Sequence, residues 1–218
     1  MVPTAASPRA PAQARSRATL ERLLDATEAL LRNRHFEDIE VDEIVRRARS
    51  SVGSFYARVG NKEALLPPLY ARFDSRLRDE LLTIAADKAW ESRDLPATCR
   101  ELAKLLVSRF REHAGLLRAA VLYARRRGRV LTPEQQAQRN AVMHIPVALL
   151  LRHRDLIADR SPERRAALAF FAANATVREM VLFPNAPHAA SLAMDDDALA
   201  RFAGGLLFSY LTCAEVPT

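Results

Sequence analysis

Glycine is scarce in this sequence, six residues in 218, and only three of its 33 basic residues are lysine. So little glycine leaves few of the punctuation points that sheet-and-turn folds require, and 49% apolar residues is too many for a disordered chain. A compact, helix-rich protein is the class that remains. Cysteine is equally sparse: Cys99 and Cys213 stand far apart, which excludes a disulfide framework and suggests two small hydrophobes in a reducing compartment. Neither cysteine has a partner nearby, and the five histidines show no zinc-ligand spacing, so no metal is expected. No apolar segment follows the N-terminal arginines, as a secretory signal would require. The longest nearly uncharged apolar stretches, 166–177 and 202–214, fall short of a membrane span of about 20 residues. The expectation is a cytoplasmic protein with no membrane partner. No nucleophile–base pair or cofactor motif stands out, so neither an enzyme nor a cofactor is expected.

Arginine dominates what is present. The formal charge is +7, which suits a polyanionic partner. Position qualifies this, because residues 1–66 hold 11 basic and 9 acidic side chains, an excess of only two. Charge alone therefore does not locate a nucleic-acid surface.

Residues 1–17 are rich in Pro, Ala and Arg without periodicity and read as a flexible basic arm, in which Arg9, Arg15 and Arg17 are candidates for a minor groove. From Leu20 the three- and four-residue spacing of Leu20, Leu23, Leu24, Thr27, Leu30 and Leu31 marks one face of a helix. Val41, Ile44, Val45 and Ala48 repeat it over two turns, and a third short segment runs from Ser51 to Val59. A fourth helix opens at Asn61 and should be interrupted at Pro67-Pro68, where two N–H donors are lost. Longer helices are read at 69–86, 96–113 and 116–126. Another opens with the capping box Thr132-Pro133-Glu134-Gln135 and runs to about Ile157, bent at Pro146. The last two span 162–183 and the region after Asp195–Asp197 up to Cys213. The fold class is all-α, with a helix-turn-helix at 18–66 and a larger sensing and dimerisation domain at 67–218.

A long helix followed by two short ones with a tight turn is the arrangement of a DNA-reading domain. On a helical wheel the segment 51–59 places Val52, Phe55, Tyr56 and Val59 on one arc, toward a core. Ser51, Ser54 and Arg58 share another, and small hydroxyls plus an arginine suit phosphates and base edges.

Val52-Gly53-Ser54-Phe55-Tyr56 followed by Asn61-Lys62-Glu63-Ala64-Leu65-Leu66 resembles the tetracycline-repressor (TetR) family. Leu23-Leu24, Ala26-Thr27, Leu30-Leu31, Phe36, Val41, Ile44 and Ala48 occupy that family's apolar positions. Some positions depart from its pattern: His35 stands where a glycine is usual, Glu40 where a hydroxyl caps, Arg49-Ser50 for Gly-Val, and Arg58-Val59 for an aromatic pair. The resemblance implies DNA contacts from Ser50, Ser51, Gly53, Ser54, Tyr56 and Arg58, with Lys62 meeting a phosphate. It implies a transcriptional regulator, a repressor that binds a palindromic double-stranded operator as a homodimer and is released by a small apolar or amphipathic ligand. Its pocket would be lined by Trp90, Phe110, Tyr123, Met143, His144, Phe170, Phe171, Asn174 and Arg178. Asn174, a carboxamide in an apolar run, needs a partner from either a neighbouring helix or a ligand. The 166–177 segment and the unbroken spacing Leu199, Phe202, Leu206, Tyr210 suggest the dimer-forming pair. A ligand-independent regulator or activator remains open. So does a helical adaptor or membrane-surface module built on Arg125–Arg129.

Overall fold

The computed structural model describes residues 12–213, and among these there is no strand. Helix α1 spans Ala12–Leu31, α2 Val41–Arg47, α3 Val52–Val59, α4 Leu66–Ala86 and α5 Leu95–Glu112. Helix α6 follows at Ala114–Arg127, α7 at Pro133–Leu151, α8 at Pro162–Leu182, α9 at Pro187–Leu192 and α10 at Asp196–Thr212. Among the described residues no helix is long and apolar enough to cross a membrane.

The helix starts follow capping chemistry. Asp94, Thr132 and Asp195 each accept a hydrogen bond from the backbone N–H three residues on, at 2.8, 3.3 and 2.7 Å. The Gln135 side chain returns the favour to the Thr132 N–H at 2.9 Å, closing the capping box. Glu40 stands at the cap of α2, and its N–H donates to Glu43 Oε2 at 3.0 Å. That bond, with Arg34 beside it, holds the Glu43 carboxyl below its ordinary value.

Several boundaries differ from the sequence reading. Helix α1 begins at Ala12, so Arg15 and Arg17 ride on its early turns and not in a loose arm; Arg9 lies outside the described residues. The Thr19 hydroxyl donates to the Arg15 carbonyl, consistent with helix continuing through 12–17. Asn61 caps only a single tight turn, Lys62–Leu65, and α4 proper starts at Leu66. Pro67 and Pro68 therefore fall in the first turn of α4, where a missing N–H breaks no hydrogen bond. They define a helix start where a break within a longer helix was expected. Helix α7 stops at Leu151 rather than Ile157, and carries Pro146 inside it. Helix α9, too short to show a period, was not legible.

One apolar core runs through both parts of the chain. Leu23, Leu31, Phe36, Ile44 and Phe55 from the first three helices pack in the same cluster as Leu69, Phe73, Phe110, Leu117, Val177 and Leu199. A second cluster lies farther along, with Trp90, Leu95, Cys99, Leu150, Phe170 and Leu207. Burial pushes the Cys99 thiol up to about 12, so it behaves as a small hydrophobe.

The closest approach between the two parts is backbone to backbone. A Cβ at Gly115, in the first turn of α6, would overlap the Leu31 carbonyl oxygen and lie 2.9 Å from that of Arg34. Only glycine lets α6 sit against the end of α1. Gly115→Ala should cost about 1–3 kcal/mol, because backbone cannot yield as a side-chain tip does. Thermal melting checks it: an unchanged or raised melting temperature would contradict this packing.

Candidate functional site

The open face of α3 is built from what the core does not take. Phe55 is fully buried and anchors the helix, with Val59 half-buried beside it. Truncating Phe55 would cost about 3–5 kcal/mol, so this anchor fixes the helix orientation. Val52 and Tyr56 were expected on the same buried arc, but are 41% and 51% exposed. Eight residues make barely two turns, and a helix this short buries one anchor position and leaves the adjacent ones at the rim. Tyr56 instead meets Phe55 edge-on at 5.3 Å and presents its hydroxyl outward.

Ser51 is the N-cap of α3, accepting from the Ser54 N–H at 3.1 Å, while Gly53 is exposed. Ser50 and Ser54 are half-buried, and exposed Arg58 donates to the Ser54 carbonyl at 3.1 Å. Sequence reasoning overlooked Arg46 and Arg47, both exposed on the last turn of α2. Exposed Arg49 joins them in the turn with φ of 50°. That left-handed value is one a glycine adopts freely and an arginine adopts at a cost of about 1 kcal/mol. The adjacency of Arg46-Arg47-Arg49 before a helix without acidic residues was the available signal. Together these groups form a cationic and hydroxyl-bearing surface on a rigid support, fit for phosphates and base edges.

Lys62 does not belong to that surface. Its ammonium donates to three backbone carbonyls, those of Phe36 at 2.9 Å, Glu37 at 3.3 Å and Ile39 at 2.8 Å. It also sits 4.8 Å from the Phe36 ring centre. All three donors of the group are engaged inside the domain, where the lysine clamps the turn before α2. Arg22 acts similarly, donating to the Ala48 carbonyl at 3.2 Å. The cluster Arg125–Arg129 is also partly spent: Arg126 and Arg127 each reach Glu63 at 3.4 Å, and Arg125 lies over Phe183.

The second feature is an apolar cavity of about 190 Å³ lined by α4, α5, α6, α7 and α8. Phe110, Met143, Phe170, Asn174 and Arg178 line it, as expected. Four other candidates do not. Trp90 is buried in the farther cluster beneath the Arg93 guanidinium, and Tyr123 borders a separate small pocket with Phe36 and Lys62. His144 is exposed on α7, and Phe171 is 67% exposed on α8. Residue type in an apolar run does not fix which side of the helix faces inward; the four-residue step from Asn174 to Arg178 does bring those two together. Tyr70, Arg109 and Arg139 were missed and complete the polar lining. Burial pushes the Tyr70 phenol above its ordinary value, so it stays neutral.

Residues 23–69 match the model of the tetR family of bacterial regulatory proteins. The reading head is a TetR-family helix-turn-helix. A TetR-family transcriptional regulator from Pectobacterium atrosepticum matches over 94% of this chain and 98% of its own, with a TM-score of 0.62 at 19% identity. Thermus thermophilus FadR, a TetR-family repressor solved with lauroyl-CoA, matches over 91% and 98%, with a TM-score of 0.55 at 19% identity. At such identities the likeness is one of fold. No curated protein matches the chain. The TetR-family match over residues 23–69 supports a DNA-binding regulator of transcription.

The clamp gives a test. Lys62→Met should lower stability by about 1–2 kcal/mol through three orphaned carbonyls, yet leave the salt dependence of DNA binding unchanged. A salt slope that drops by about one unit would restore the phosphate contact.

Proposed function

We propose that this protein is a ligand-responsive repressor that binds a two-fold operator as a homodimer. The observation that carries the reading is the single core linking the exposed face of α3 to the walls of the cavity. Two of the cavity's walls, α4 and α6, are packed against α1 or the turns around it, so a ligand that displaces either would move the helix-turn-helix. Ion pairs reinforce that seam: Arg72 pairs with Glu21 and Asp25, Arg76 with Glu28, and Arg118 with Glu37. The lauroyl-CoA bound by Thermus thermophilus FadR supports a ligand-responsive reading.

The dimer reading rests on α8 and α10. These helices pack on each other, yet expose Leu168, Phe171, Phe202, Phe208 and Tyr210. Large side chains left in water on two adjacent helices suit burial against a symmetry mate. Gly205 lies on the same face with nothing within 4 Å of where its Cβ would stand.

Selection of bound sequences from random DNA should return a palindrome. Tyr56→Ala and Arg58→Ala should each weaken binding to it without loss of helix signal, and Arg58→Ala should flatten the salt slope by about one unit. Unchanged affinity for both variants would remove α3 as the reading helix. Gly205→Arg has room in the monomer, so it should fold normally but sediment as a monomer and hold DNA weakly. Wild-type protein sedimenting as a monomer at micromolar concentration would overturn the dimer.

A further inference from the structure

The cavity carries a charge imbalance that specifies its occupant, and this inference rests on the ligand-responsive reading above. Its walls include three arginines, Arg109, Arg139 and Arg178, and no aspartate or glutamate. Two of the three are already neutralised from outside the cavity. Arg109 pairs with Glu80 and reaches Glu112 at 4.0 Å. Arg139 pairs with Asp74 and lies 5.8 Å from the Tyr70 ring centre. Arg178 differs: among the described residues no carboxylate lies within ion-pairing distance of it. Its Nε is buried without any hydrogen-bond partner. A buried donor on a cation, left unmade, is costly, and native structures tolerate it where something else arrives to accept it. Asn174 stands one helical turn before Arg178 on the same wall, and its side chain makes no hydrogen bond among the described residues.

We propose that the cavity binds an apolar monocarboxylate, its hydrocarbon body among Phe73, Leu77, Leu106, Met143 and Phe170 and its carboxylate on the Arg178 guanidinium with the Asn174 amide. One uncompensated cation calls for one negative charge, not for the several of a polyphosphate head group. The size agrees. A dry cavity of about 150 Å³ is known to take a single benzene ring, so about 190 Å³ suits one ring or a short chain. A neutral ligand would leave Arg178 unpaired, and a cationic one would add a second like charge.

Calorimetric titration of the full-length protein tests this without DNA, using octanoate, benzoate, 1-octanol, octylamine and octanoyl-CoA as probes. Octanoate, benzoate or both should bind at least about tenfold more tightly than octanol, the difference expected of one charge-assisted hydrogen bond. Which acid binds better separates chain from ring; octylamine and octanoyl-CoA should be weaker than the better acid. Arg178→Met should remove the preference for acid over alcohol, and its octanol binding reports that the cavity is still formed. If that variant does not fold, Arg178→Lys serves, keeping the charge but losing Nε, and should weaken acid binding alone. Octanol or octylamine equalling the better acid, octanoyl-CoA exceeding it, or acid binding indifferent to Arg178 would each overturn the proposal. So would binding of none of the five. Palindrome binding by the same preparation is scored separately, so that failure of the ligand assignment and failure of the regulator reading are told apart.

Discussion

Everything in this molecule depends on the contact where α6 meets the end of α1. There two backbones approach so closely that a methyl group at Gly115 has no room. Around that contact Leu31, Phe36, Leu116 and Leu117 merge what would otherwise be two cores. A linker between domains would let each part respond alone. A shared core forbids that, because close-packed interiors pass on displacement instead of absorbing it. The arginines of α4 on the carboxylates of α1 add a polar seam beside it. Being largely exposed, they set alignment more than they add stability.

Arginine plays three distinct parts in a chain with almost no lysine. On α2 and the following turn it is exposed and, among the described residues, without an ion-pair partner. On α4 and α6 it pairs with acids of neighbouring helices. At Arg178, in the cavity wall, its Nε is left without an acceptor. The same residue type thus serves as surface charge, as alignment pin and as recognition group, and only the surrounding geometry separates these uses.

The helical class, the capping residues Asp94, Thr132 and Asp195, and the helix-turn-helix were legible because each is written in short-range spacing. Direction of a side chain within a helix was less so. Tyr56 and Val52 share a helical-wheel arc with Phe55, yet a helix of two turns buries only its anchor. His144 and Met143 are neighbours in sequence and part company in space, one exposed and one lining the cavity. Lys62 shows a deeper limit. A lysine at a motif position reads as a phosphate contact until the carbonyls of a turn more than twenty residues away are seen to occupy it. The solitude of Arg178 was equally hidden, since it depends on where every acid in the neighbourhood points.

The shared core has a consequence for the protein's lifetime. If reading head and cavity melt as one cooperative unit, an occupant of the cavity stabilises the DNA-binding helices as firmly as the walls it touches. At a hundredfold excess over its dissociation constant, such an occupant adds about 2.7 kcal/mol to the folded state. Proteases act on the unfolded fraction, so that increment would slow turnover by a large factor wherever degradation follows equilibrium opening. On the proposed reading, a ligand that releases the operator would also preserve the regulator, building a reserve that re-engages DNA as soon as that ligand is consumed.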